Sequence, residues 1–162
     1  MKRYPLQTLL RLRAHRTEAA RMVVLDRQRA VAACREECRR IGDEITAIED
    51  DRRSQRARLL DPPTPGMAWP VVLEAREAHI ELLAQHIVAA QQRLQAAQGR
   101  LRDAERALEE AKQAYFRARA REDALEKRKH LWRDEQFALE ARQEEDAAAD
   151  LFMARYVTPG TS

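Results

Sequence analysis

Apolar residues recur along the chain at alternating steps of three and four, the heptad spacing of a helix that packs against another helix. From Leu6 to Leu59 this stepping meets apolar residues at eleven of sixteen positions, and from Leu73 to Ala118 at thirteen of fourteen. Beyond Ala118 the pattern weakens, although the helix propensity stays high to Tyr156. The spacing therefore predicts two long helices, over residues 5–60 and 70–156, and a disordered tail at residues 157–162.

One cluster of helix breakers separates the two patterns. The stretch DPPTPGMAWP, residues 61–70, holds four of the six prolines and one of the four glycines, so we expect a turn over residues 61–69. A short connection makes consecutive helices antiparallel neighbours. The fold class predicted is all-α, a single elongated coiled-coil hairpin over residues 1–162 whose second helix overhangs the first. With the turn centred at Pro65 and Gly66, Ile45 faces Ile87 and Leu6 faces Leu125.

The predicted core of the hairpin consists of the apolar seam positions of both helices. From about Ile87 these positions alternate between large residues and alanine, so that a bulky side chain on one helix fills the space beside an alanine on the other. The predicted core residues are Leu6, Leu10, Val24, Val31, Cys34, Cys38, Ile41, Ile45, Ile48, Leu59, Leu73, Ile80, Leu83, Ile87, Leu94, Leu101, Leu108, Tyr115 and Leu125.

Three groups of large apolar residues lie outside this seam. At 1.5 Å per residue the second helix extends about 45 Å beyond the first, over Lys127–Tyr156, where no first-helix residues remain to cover it. Apolar clusters without an internal partner indicate an interaction site, with another protein or with a second copy of the chain. For Trp69 there is an alternative, which is packing back onto Leu59 and Leu60. The groups are Met67, Trp69, Val71 and Val72 at the turn, Tyr4, Leu9 and Leu12 at the open end, and Leu131, Trp132, Phe137, Leu151, Phe152, Met153 and Tyr156 in the overhang.

Composition and charge agree with a long helical protein. Charged residues make up 35% of the chain and aromatic residues 5%, which is typical of coiled coils. The net charge of +3 conceals a segregation: residues 1–29 contain eight basic and two acidic side chains, whereas residues 134–150 contain one and seven. This separation indicates charged partners. Because no segment approaches 20 apolar residues, we expect a soluble, cytoplasmic protein without membrane insertion.

The sequence contains no common motif for catalysis, metal binding or cofactor binding. We find none of the patterns GxGxxG, GxxxxGK[ST], HExxH, CxxC or GxSxG, and we expect no catalytic residue and no cofactor. Cys34 and Cys38 lie four apart on one helix face, where a disulfide is disfavoured and a buried apolar role fits. His79 and His86 lie about 18 Å from these cysteines in the predicted hairpin, too far to share a zinc ion.

The basic N-terminal region suggests two other functions, nucleic-acid binding and membrane binding, but the sequence supports them less well than protein binding. Acidic residues interrupt most of the later arginine positions and no aromatic residues are interleaved for base stacking, so we expect no nucleic-acid binding. The first 16 residues are basic and amphipathic, as in helices that lie on membranes. However, Leu6 and Leu10 already have seam partners, which leaves only Leu9 and Leu12 for a lipid surface.

The layout resembles the central-stalk family of type III secretion, which comprises flagellar FliJ and the YscO-like proteins of injectisomes. The matching features are the opening YPLQTLLRLR at residues 4–13, one proline-rich turn after about sixty residues, and a longer, charged second helix that ends in EEDAAADLFMARY at residues 144–156. The resemblance covers nearly the whole chain, in architecture and heptads rather than in residue motifs.

The resemblance implies a non-enzymatic coiled coil whose termini enter the hexameric export ATPase and whose other end reaches the export gate, with chaperones of secreted substrates as partners of some members. Leu151, Phe152, Met153 and Tyr156 would then meet the ATPase, with Tyr4, Leu9 and Leu12 nearby. Met67, Trp69, Val71 and Val72 would meet the gate or a chaperone. We expect a cytoplasmic monomer, peripheral to the inner-membrane export apparatus. A generic coiled-coil scaffold or self-associating adaptor remains the alternative.

Overall fold

The computed structural model describes residues 2–157 and contains two long α-helices. Helix α1 spans Gln7–Ala57 and helix α2 spans Trp69–Val157, with 51 and 89 residues. No strand occurs in this described part of the chain. The two helices form a closely packed antiparallel pair, so the predicted fold class is confirmed and its helix bounds are met within three residues. Val157 belongs to α2, and the rest of the predicted disordered tail, residues 158–162, lies outside the described residues.

Each helix starts where its sequence supplies a starting signal. Pro70 is the second residue of α2, within its first turn, where a missing N–H costs nothing, and Pro5 lies in the turn just before α1. The backbone N–H of Gln7 donates to the Tyr4 carbonyl at 3.1 Å, and that of Leu10 donates to the Leu6 carbonyl at 2.9 Å. Residues Pro5 and Leu6 therefore form a turn, which is why α1 begins two residues later than predicted.

The helix pair divides into two compact units, the first made of Met1–Met22 with Gln113–Ser162 and the second of Val23–Lys112. The second unit contains the main apolar cluster, built around Ile41, Ile45 and Ile87 with Ala90 and Ala97 fully covered. Cys38, Ile48 and Leu94 pack against this cluster. Large residues and alanines thus pack together in this cluster, as the predicted alternation requires.

The first unit has a more mixed interior. Leu10 is 5% exposed, and Thr17, a polar seam position of α1, is 7% exposed. The Thr17 hydroxyl donates to the Arg13 carbonyl at 3.0 Å, which satisfies its hydrogen-bonding need inside its own helix. A hydroxyl placed in this way can occupy the seam without a partner on α2.

Of the predicted core residues, one is wrong and the others are buried or half-buried. Leu6 is 39% exposed, because it lies in the turn before α1 and Tyr4 takes the place against α2. The partial burial also continues past Ala118 to Gln136, although the apolar pattern weakens there. The uncovered part of α2 is therefore residues 137–157, which we call the C-terminal extension, and it is shorter than the predicted overhang Lys127–Tyr156.

The predicted register of the hairpin is also wrong, by more than one helical turn. In the first unit Tyr4 contacts Trp132, and in the second Glu44 bonds Arg93, which lies beyond the predicted partner near Ile87. The cause lies in the loop of residues 58–68, which we call the tip loop. Asp61, Pro62 and Thr64 each precede a proline, which disfavours helical backbone at these positions, and the chain turns back at Gly66 with φ of 94°. Consequently α1 ends opposite Arg76, about two turns into α2.

Candidate partner-binding surfaces

Tyr4, near the start of the chain, and Trp132 of α2 form an aromatic pair. The rings of Tyr4 and Trp132 lie 5.5 Å apart between centroids at an interplanar angle of 55°, and Tyr4 is only 8% exposed. Their predicted places among the uncovered apolar residues are therefore wrong, because the register shift brings them together. Leu9 is half-buried and Leu12 is 43% exposed. The buried Tyr4 hydroxyl has no hydrogen-bond partner among the described residues.

A groove lies beside this aromatic pair, between the start of the chain and α2. Its volume is about 900 Å³. Five of its lining residues are basic and two are acidic, and we call it the basic groove. The basic residues are Lys2, Arg3, Arg11, Lys129 and Arg133, the acidic ones are Asp134 and Glu140, and the others are Tyr4, Gln7, Thr8, Trp132, Gln136 and Phe137.

The C-terminal extension presents its apolar side chains to solvent. The exposed fractions are 70% for Leu151, 59% for Phe152, 60% for Met153 and 76% for Tyr156. Phe152 and Tyr156 lie one turn apart and their ring centroids are 4.8 Å from each other. Leu131 and Phe137 are likewise exposed, as predicted. The exposure of these residues is a feature of the structure, whereas their role in binding a partner stays a prediction.

The tip loop carries the second exposed apolar group. Met67 and Val71 are 56% and 59% exposed, while Leu60 is 75% exposed. Val72 is buried, which contradicts its predicted exposure, because the tip loop folds over the first turn of α2 and Val72 lines a small cavity with Thr64 and Met67. Trp69 is partly exposed, and the guanidinium of Arg76 lies 5.7 Å from its ring centroid.

Arg76 has a role that the sequence reasoning missed. Its Nη1 donates to the carbonyl oxygens of Arg58, Leu59 and Asp61, at 3.2, 3.0 and 2.7 Å. These carbonyls lie just after the end of α1, where the helix dipole favours a cation. The available signal was that Arg76 is the one polar residue among the fourteen strong seam positions of α2.

Ion pairs link the helices within the second unit. Arg93 forms a two-pronged bond with Glu44, at 2.7 and 3.1 Å, and Arg100 donates to Glu37 at 2.8 Å. The hydrogen bonds from Arg93 lower the pKa of the Glu44 carboxyl. On α1, hydrogen bonding from Arg21 and from Arg39 lowers the pKa of Glu18 and Glu36 in the same way. All these side chains are solvated. Their ion pairs therefore contribute little to the free energy of unfolding and mainly favour one geometry of pairing.

Other kinds of site find little support in residues 2–157. They hold no group of His, Cys, Asp and Glu side chains that could bind a metal ion, and Cys34 and Cys38 are free and half-buried. Among the described residues, neither helix has a stretch apolar enough, at sufficient length, to cross a bilayer. Three surfaces of the described residues are distinguished by their charge or by exposed apolar side chains: the basic groove, the C-terminal extension, and the tip loop with the first turn of α2.

Comparison with known proteins gives two matches. A family model described as YscO-like protein matches residues 1–157. Among solved structures, the chain resembles CT670 from Chlamydia trachomatis, described as a proposed YscO homologue, with a TM-score of 0.78, 22% sequence identity and coverage of 96% of each chain. This likeness extends to the fold. Among curated proteins, no sequence matches the chain.

Proposed function

The chain belongs to the YscO-like family, a family associated with type III secretion, and from this premise we propose that it is a non-enzymatic central stalk of a type III secretion export apparatus. In this role it couples the hexameric export ATPase to the export gate. It acts in the cytoplasm as a single copy, peripheral to the inner membrane. A hairpin of two long helices supports the proposal because it presents separate surfaces at its closed tip and on the far part of α2.

The observation that carries the proposal is the C-terminal extension. Four large apolar side chains are 59–76% exposed on a helix that its partner helix no longer covers. Such residues favour docking into another protein, and aromatic anchors contribute most to such interfaces. We assign Leu151, Phe152, Met153 and Tyr156 to the ATPase contact. Leu9 and Leu12 at the open end add to it, while the buried Tyr4 shapes the surface rather than contacting the partner directly.

Truncation after Ala141 tests this assignment. Every residue removed up to Val157 is exposed, so the shortened chain should keep the thermal stability of the paired helices but lose binding to the secretion ATPase. The double substitution Phe152→Ala with Tyr156→Ala should weaken binding by about tenfold or more. Phe116→Ala is the control, since Phe116 is 58% exposed but lies in the paired region. Undiminished ATPase binding by the truncated chain would refute the assignment.

We assign the tip to the contact with the export gate or with a chaperone of a secreted substrate. Met67 and Val71 are exposed there and Trp69 is held by Arg76, so the apolar surface is available and its position is fixed. Replacing Met67 and Val71 by serine should weaken binding to the gate protein or the chaperone and leave ATPase binding unchanged. If the variant bound both partners as tightly as wild type does, the assignment of the gate or chaperone contact to Met67 and Val71 would be contradicted.

A further inference from the structure

The basic side chains of the basic groove have no acidic partner among the described residues. Lys2, Arg3, Arg11, Lys129 and Arg133 line it, and none of them takes part in an ion pair within the described residues. Its wall includes Tyr4, more than nine-tenths buried, whose hydroxyl has no hydrogen-bond partner among residues 2–157. A buried hydroxyl without a partner is costly, so a ligand that accepts a hydrogen bond from it would be favoured. These features point to a carboxylate-bearing ligand.

Trp132 and Phe137 add an apolar surface to the same groove. Phe137 is 77% exposed and Trp132 is half-buried. A ligand that suits the groove therefore combines acidic side chains with large apolar ones. A helix of that composition would pair its carboxylates with the lysine and arginine side chains and lay an apolar residue on the exposed ring.

The chain itself contains one segment of this composition. Residues 134–150 hold seven acidic side chains and one basic one, and they are followed at once by Leu151, Phe152 and Met153. The segment is helical and exposed from residue 137 to Val157, and its Phe137 and Glu140 also line the groove. It cannot fill the groove of its own chain, because α2 runs without a break through both and carries the extension away from it.

We propose that the basic groove binds the C-terminal extension of a second copy of this chain. Because groove and extension are both present on each copy, two chains related by a two-fold axis satisfy each other's surfaces and the assembly closes as a dimer. The carboxylates of Glu144, Glu145 and Asp146 meet the basic side chains, and a carboxylate accepts the hydrogen bond of the Tyr4 hydroxyl. Charge complementarity, rather than apolar area, fixes the pairing.

The dimer has a consequence that rests on the proposed function. It covers Leu151, Phe152 and Met153, which are the residues we assign to the ATPase contact. Free chains would therefore be held in a form that cannot dock, and ATPase binding would require the dimer to separate. The tests below use the isolated chain alone, so their failure is distinguishable from a failure of the ATPase assignment.

A charge-swap experiment tests the dimer. The groove variant carries Lys129→Glu and Arg133→Glu, and the extension variant carries Glu144→Lys and Glu145→Lys. Analytical ultracentrifugation of wild type at up to about 200 μM should show a monomer–dimer equilibrium, weakened between about 0.05 and 0.5 M salt. Each variant alone should be monomeric. Their equimolar mixture should regain the dimer, since both interfaces then join opposite charges.

Two further variants separate this interface from general effects. Arg102→Glu with Arg106→Glu reverses two basic residues at the same spacing, four apart on α2, outside the groove, and should leave dimerisation unchanged. Tyr4→Phe should weaken the dimer by roughly tenfold, the value of one hydrogen bond to a charged group, while circular dichroism shows the helices intact. Restoration in the mixture together with these controls supports the proposal.

Three outcomes would overturn it. A wild-type chain that stays monomeric at low salt excludes the second copy and leaves the groove to an acidic segment of another protein. A dimer that neither charge-reversal variant disrupts places the interface elsewhere. A mixture of the two variants that remains monomeric, although both are folded, shows that groove and extension do not meet.

Discussion

At the scale of single residues, one guanidinium closes the tip end of the hairpin. Arg76 donates to three carbonyl groups just after the end of α1 and covers the Trp69 ring. Arg76→Met removes these bonds and leaves the Leu59 and Asp61 carbonyls to water or to no partner, while the Arg58 carbonyl keeps the N–H of Asp61. We expect the free energy of unfolding to fall by about 1–3 kcal/mol, measured by urea denaturation.

The matched control for Arg76 is Arg102→Met, an exposed arginine of α2 placed away from the tip. Its substitution should change the free energy of unfolding by less than about 0.5 kcal/mol. Arg76→Lys should recover only part of the loss, because an ammonium on a flexible stem reproduces the planar fork poorly. Equal stability of Arg76→Met and wild type would show that the tip loop closes without this cap.

The pair of Glu44 and Arg93 makes a prediction about pH. Hydrogen bonding by Arg93 lowers the folded-state pKa of Glu44, so the unfolded state binds the proton more readily. Its stabilisation is therefore fully present above the unfolded pKa and is lost as pH falls through the folded one. Glu44→Gln should lower the melting temperature slightly at about pH 7 and leave it unchanged at about pH 2. A difference of the same size at both values would exclude ionisation of Glu44 as its cause.

At the scale of elements, the helices followed from the sequence and their register did not. Heptad spacing identifies which face of each helix is covered, and among the nineteen predicted core residues Leu6 is the exception. Register depends on the tip loop, whose path is set by three Pro-preceding residues and by Gly66 rather than by any periodic signal. Tyr4 and Val72 were misplaced for the same reason, since the register brings Tyr4 against Trp132 and the tip loop covers Val72.

The least exposed of the buried residues in the described part of the chain are alanines. Ala90 is 0% and Ala97 1% exposed, within the cluster formed by Ile41, Ile45 and Ile87. Ala90→Leu would have to push the helices apart or force strained rotamers, at a cost of about 1–3 kcal/mol in the free energy of unfolding. Ala89→Leu, one position along and exposed, should be close to neutral. Chemical denaturation of the two variants measures the difference in the free energy of unfolding. Equal values would show that the core accommodates a leucine at position 90.

At the scale of the whole molecule, the two units differ in how the chain builds them. The second unit, Val23–Lys112, is one continuous stretch that the tip loop closes, and it contains the main apolar cluster. The first unit joins two stretches separated by ninety residues, and its seam is poorer in large apolar residues. Closing such a distant pair costs more chain entropy unless the intervening hairpin has already formed. The first unit, which contains the basic groove and the C-terminal extension, should therefore be the less stable of the two.

Hydrogen exchange measured by mass spectrometry tests this ranking. Amides of residues 7–22 and 113–136 should exchange faster than those of residues 30–57 and 76–111, because the first unit opens without unfolding the second. A chain limited to residues 23–112 should still fold as a helical hairpin, since its cluster and the Arg76 cap are both inside it. Uniform protection across both stretches, or an unfolded 23–112 fragment, would mean that the units unfold as one. If the prediction holds, the first unit can loosen and reorder while the second unit keeps the pairing of the helices.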